Sequence, residues 1–215
     1  MELKVYGHRV SQPSRAIMIF CNYHITHFFR KKPINPVGQV PAIIHGELKL
    51  FESHAILIYL ASAFPGVADH WYPADLVKRA KLHSVLDWHH SNLRRGAATY
   101  VFNSRLAAVF GLPLNPQAAA EAEKCLISSL STIESFWLED SGKFLLGANQ
   151  PSIADLSLVC EIMQLELLDE NDRNRILGPY KKVQQWIENT KNAINPQFDE
   201  LHGALYHLSA TLRKQ

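Results

Sequence analysis

The chain has 215 residues, with 22 basic and 20 acidic side chains and a formal net charge of +2, which leaves no electrostatic footprint for nucleic acid. Hydrophobic residues make up 47% and charged residues 20%, the balance of a soluble globular protein with room for one large or two small domains. No apolar run approaches a membrane span and no secretory signal opens the chain. Cys21, Cys125 and Cys160 are widely spaced without a C-x-x-C pair, which favours reduced thiols inside a cell over a disulfide framework.

Leu3 to Tyr6 reads as a short strand, followed by Ser11-Gln12-Pro13-Ser14-Arg15-Ala16. Pro13 has no backbone N–H and suits a first helical turn, and Ala16 to Phe20 continues as an apolar helix. Ser11 therefore sits at a strand-to-helix junction, where a hydroxyl and a helix N-terminus face one volume. Such a place can stabilise an anion such as a thiolate, and it equally suits a capping serine. The basic cluster Arg30-Lys31-Lys32 reads as solvated loop surface. Pro41 to Ile44 is an apolar run, His45-Gly46-Glu47 a turn, and Leu48 to Phe51 an alternating strand. Ser53 then opens the apolar helix Ala55-Ile56-Leu57-Ile58-Tyr59-Leu60. The free N–H groups and positive dipole at that start can hold a carboxylate, and Glu52 can meet an ammonium. Together they suit an α-amino acid head group, although an ordinary N-cap has the same sequence.

Phe64 to Pro73 carries turn formers and no period, and reads as a linker; from Ala74 onward the pattern is helical. His83, Asp87 and His90 share a helix face at metal-ligand spacing, but a polar face against solvent or a partner accounts for them, with His89 pointing elsewhere. Arg94 and Arg95 diverge by about 100°, so only one can face a cleft. Pro113 and Pro116 bracket a break, and Ala118 to Trp137 forms a helix. Ser152-Ile153-Ala154-Asp155 fits a capping box, with a folding role.

Four of these segments, in order, resemble theta-class glutathione transferases, most closely those of plants. They are Ser11 to Ala16, Asn35-Pro36-Val37-Gly38-Gln39-Val40-Pro41-Ala42, Glu52 to Leu60, and Asp69-His70-Trp71-Tyr72-Pro73. Asp87 to Gly96 and Phe144 to Leu158 extend the similarity over nearly the whole chain. The resemblance implies the cytosolic glutathione transferase fold: an α/β thioredoxin-like N-terminal domain over residues 1–63, a linker over 64–73, and an all-α C-terminal domain over 74–215. It implies glutathione as cosubstrate, no metal, a homodimer and a cytoplasmic location. The partners are small hydrophobic electrophiles or organic hydroperoxides, with no nucleic acid and no membrane.

By the same resemblance, Ser11 donates a hydrogen bond to the glutathione sulfur and Arg95 aligns with an arginine that helps activate the thiol. Val40 pairs its backbone with the cysteinyl segment, after a cis bond to Pro41. Glu52 and Ser53 hold the γ-glutamyl head group, and Gln12 and Gln39 join the glutathione contacts. The chemistry is reasonable: a thiol of pKa ~8.5 is mostly protonated at pH 7, and each unit of lowering requires roughly 1.4 kcal/mol of preference for the thiolate. The thiolate can then attack an electrophilic carbon or the distal oxygen of a hydroperoxide. Serine cannot form a mixed disulfide, so thioltransferase activity is not expected. The electrophile is expected between His8, Val10 and the helices carrying Tyr100, Phe102 and Leu106.

One departure stands out. Ile25 to Phe29 supplies the remnant of a strand, and Arg30 to Pro33 then runs directly into Asn35-Pro36. The family's intervening helix, with its ligands for the glycine carboxylate, has no counterpart. Lys31 or Lys32 is the expected substitute. The alternative is a non-catalytic dimeric protein that binds glutathione or hydrophobic ligands through an impaired site.

Overall fold

The computed structural model describes residues 2–21, 34–139 and 141–213. Its first part runs β1 (Leu3–Tyr6), α1 (Gln12–Cys21), β2 (Ala42–His45), β3 (Leu48–Phe51) and α2 (Ser53–Ala63). The three strands form an antiparallel sheet in the order β1-β2-β3. The expected hairpin is present, closed by Gly46 and Glu47 between β2 and β3, with Gly46 at φ 62°, a backbone region that tight hairpin turns require. Alternation sends Val5 and Ile43 to one face, where they join Ile17, Ile56 and Leu57 in the core. The expected strand at Ile25 to Phe29 and the trio Arg30-Lys31-Lys32 lie outside the described residues, so the proposed role of Lys31 or Lys32 does too.

The remainder is helical, as expected. Asp75 caps α3 (Leu76–Ser91), which leads to α4 (Leu93–Val101), a π-helical turn Phe102–Leu106 and the short α5 (Ala107–Val109). Asn115 caps α6 (Pro116–Thr132), with Pro116 in the first turn and a π-helical turn Ile133–Trp137 closing it. The expected helix thus begins two residues early, because Pro116 tolerates the position where its missing N–H has no partner. Then come α7 (Ile153–Ile162), a 3-10 stretch Met163–Leu167, α8 (Glu170–Leu177), α9 (Lys181–Ile194) and α10 (Gln197–Leu212). At Gly96 the chains of α4 and α6 nearly touch. A Cβ there would lie 2.5 Å from the backbone nitrogen of Leu126, so only glycine fits the crossing.

Every residue of α7 is buried, and the capping box at its start is complete. Ser152 Oγ accepts from the backbone N–H of Ala154 and Asp155 at 3.2 and 3.4 Å. Asp155 Oδ2 accepts from the Ser152 backbone and hydroxyl at 2.8 and 2.7 Å. Its Oδ1 accepts from the Leu145 backbone at 2.9 Å and Trp186 Nε1 at 2.8 Å. The folding role expected of the motif is therefore larger than a cap, since Asp155 also ties α9 and the preceding turn to α7.

The two parts share one core. Arg15 on α1 is fully buried. Its Nη1 donates to the carbonyls of Arg9 and Val10 at 3.1 and 2.9 Å, and its Nη2 to Cys160 O and Gln164 Oε1 at 2.9 and 3.2 Å. A buried guanidinium is costly unless so many donors are satisfied. No helix among the described residues is long and apolar enough to cross a membrane.

Candidate functional site

Strand register gathers the predicted residues. Tyr6 pairs with Ala42, and Ala42 with Phe51. The exit of β1 toward Ser11, the entry to β2 from Val40-Pro41, and the exit of β3 toward Glu52-Ser53 therefore lie along one edge of the sheet. Separations of about 40 residues in sequence become neighbouring strand ends.

Ser11 sits half-buried at the end of the β1–α1 loop. Its N–H donates to His8 O at 2.9 Å and its carbonyl accepts from Arg15 N at 3.0 Å, the first bond of α1. Arg15 fixes the loop from beneath through the carbonyls of Arg9 and Val10. Buried Ser14 donates its hydroxyl to Ser11 Oγ at 3.0 Å. That leaves the Ser11 proton available for an acceptor outside the loop. Gly7 makes room for Ser14, whose Cβ would lie 3.1 Å from a Cβ at position 7.

The second segment is organised by Asn35, whose side chain donates to Gln39 O and accepts from Val37 N, both at 2.9 Å. Gly38 takes φ 70°, and the Val40-Pro41 bond is cis as expected. Gln39 is exposed, Val40 half-buried and Pro41 buried. The third segment is the start of α2. Glu52, in the N-cap position, is exposed and adopts φ 72°, a conformation that non-glycine side chains rarely hold without a functional reason. No described side chain caps this helix end, so its first backbone N–H groups retain their capacity to bind an anion.

Sequence reading did not find Glu161, the buried centre that joins these segments to the helical part. Its Oε1 accepts from Gln12 Nε2 at 2.9 Å and its Oε2 from Arg94 Nη1 at 3.0 Å. His89 Nε2 lies 3.5 Å from Oε2. Burial alone would raise this carboxyl's pKa, but His89 and Arg94 beside it bring it below the ordinary value. A single acid inside the apolar run Leu156 to Ile162 was the available signal.

Arg94 turns inward to Glu161 on α7, whereas Arg95 is exposed. His89 points inward and is buried, with Nδ1 3.1 Å from His54 Nε2, which also lies 2.9 Å from Ser157 Oγ. His83 instead meets Tyr72 Oη at 3.0 Å. Tyr100, expected to line an electrophile site, is buried and receives Arg175 Nη2 at 3.2 Å. Burial pushes the thiols of Cys21 and Cys160 up to about 12, so both stay protonated and unreactive near neutral pH.

Comparison with known proteins agrees with this arrangement. Residues 1–62 match the family model described as glutathione S-transferase, N-terminal domain. Glutathione S-transferase T1 of Arabidopsis thaliana is 62% identical over 229 positions, covering the whole chain and 94% of the relative. Against 215 residues, those 229 positions leave a difference of 14. Glutathione S-transferase T2 of the same plant is 60% identical, but the chain spans only 39% of its length. Among solved structures, human glutathione transferase theta-2 in complex with glutathione superposes with a TM-score of 0.84 at 25% identity, over 99% of this chain and 91% of that one. With the sheet edge, the Ser11 junction and the open start of α2 in place, the chain belongs to the theta class of the glutathione S-transferases, on its plant-like side.

Proposed function

We propose that this chain is a glutathione transferase in which Ser11 activates the thiol. The observation that supports this most is the sheet register, which lines up Ser11, Val40-Pro41 and the uncapped start of α2 along one edge. In this reading the γ-glutamyl carboxylate meets the Ser53 hydroxyl and the N–H groups of α2, and Glu52 takes the ammonium. Val40 pairs with the cysteinyl backbone like an added strand, with Gln39 beside it. Gln12, held by Glu161, offers its remaining amide oxygen.

The sulfur then lies beside Ser11. Ser14 occupies one lone pair of the Ser11 oxygen, so the hydroxyl proton is directed to the sulfur. A charge-assisted hydrogen bond and the α1 dipole together supply roughly one to two units of pKa lowering. For conjugation, the thiolate forms a C–S bond and the leaving group departs with its electron pair. For a hydroperoxide, the thiolate takes the distal oxygen, the O–O bond breaks and the alkoxide is protonated. A second glutathione then reduces the sulfenic acid, giving the disulfide and water. The Arg94 guanidinium acts through Glu161 as a positioning residue, while exposed Arg95 is left to help activate the thiol. A homodimer in the cytoplasm completes the reading.

The test is turnover of glutathione with cumene hydroperoxide and with a conjugating electrophile. Ser11→Ala should lower kcat/KM by about 100-fold while glutathione binding, read by calorimetry, persists. Undiminished turnover would overturn the role of Ser11. The shortfall of 14 aligned positions motivates a second reading, a glutathione-binding protein without catalysis. Wild-type chain that binds glutathione but turns over neither acceptor would establish it.

A further inference from the structure

We propose that His54, His89 and His90 form a binding site for a borderline divalent cation of the zinc class, at the seam between α2 and α3. This departs from the metal-free expectation and is independent of the transferase reading. One ligating nitrogen from each histidine lies within 4.8 Å of the other two. Tetrahedral coordination at Zn–N distances of 2.0–2.1 Å places neighbouring nitrogens about 3.3 Å apart. His54 Nε2 and His89 Nδ1 stand 3.1 Å apart, close to that requirement. The His90 ring lies tilted, 4.3 Å from the His54 ring, and the residue is exposed, so rotation of this one exposed side chain closes the set and gives the cation its entry path. Three imidazoles select zinc, copper, nickel or cobalt over the hard alkaline-earth ions.

The outer shell supports the same reading. His89 is 2% exposed, yet its Nε2 has no hydrogen-bond partner among the described residues. That atom faces Glu161 Oε2 at 3.5 Å. With a cation on Nδ1, the ring proton resides on Nε2 and points to the carboxylate, the arrangement that orients metal-bound histidines. Glu161 also supplies a negative charge against the cation, shared with Arg94. Ser157 Oγ, 2.9 Å from His54 Nε2, gives up that contact when the cation binds.

The full chain, stripped with chelator and dialysed, is titrated with Zn²⁺ by calorimetry and with Co²⁺ by visible absorption. The expected result is one equivalent of Zn²⁺ and the intense visible bands of low-coordinate cobalt. His90→Gln, at an exposed position that does not endanger folding, should weaken binding by about 100-fold, and His54→Gln should abolish it. His83→Gln, on the same helix but directed to Tyr72, should leave it unchanged. Absence of uptake at a hundredfold molar excess of Zn²⁺ overturns the site. Equal affinity in the His90→Gln variant does so as well, because the metal then sits on unrelated surface histidines. Should His54→Gln fail to fold, the His90→Gln titration alone decides.

Discussion

Two helix starts in this molecule, those of α2 and α7, solve the same backbone problem in opposite ways. At α7, Ser152 and Asp155 satisfy the first N–H groups reciprocally, and burial seals the arrangement. At α2, Glu52 stands in the cap position with φ 72° and offers no cap, while the residue is exposed. Orphan N–H groups at a helix end must be satisfied by side chains, water or a ligand. The fold uses the first solution at the buried end, and the second is the end at which the proposed function seats an anion. The positive φ at Glu52 sets this start apart from the complete one at α7.

This contrast can be broken first at its strong side. Asp155→Ala removes four accepted hydrogen bonds and leaves the Trp186 and Leu145 donors buried. A loss of about 4 kcal/mol in urea unfolding is expected. Ser152→Ala keeps Asp155 paired with Leu145 and Trp186, and should cost about 2 kcal/mol by the same measurement. At the open end the effects move from stability to ligand. Ser53→Ala should raise the KM for glutathione about 10-fold with an unchanged urea midpoint, equivalent to roughly 1.4 kcal/mol of binding. Glu52→Gly sharpens the contrast most finely. It relieves a positive φ and should raise stability by about 1 kcal/mol while weakening glutathione binding. A variant that loses both would mean that Glu52 is held there for folding.

Much of the N-terminal architecture was legible because short-range rules govern it. The hairpin followed from alternation around Gly46, α1 from Pro13 and its apolar run, and the α7 cap from Ser152 and Asp155. The residues gathered at the sheet edge were legible as a set, through motif order. What escaped depends on contacts between distant segments. Glu161 meets Gln12 across 149 residues, and no local pattern announces such a pairing. The pairing of Arg94 with Glu161 needed the rotational phase of α4, which a hydrophobic period fixes too coarsely to separate adjacent positions. His54 read as one more residue of an apolar helix until α3 brought His89 and His90 against it.

Arg15 has a last consequence, for how the two parts of the molecule hold together. Its guanidinium grips the Ser11 loop on one side and the Cys160 carbonyl with Gln164 on the other, so prising the two halves apart would strand a cation inside the interior. Such a rupture costs several kcal/mol. Separation of the two parts at this contact is thereby opposed.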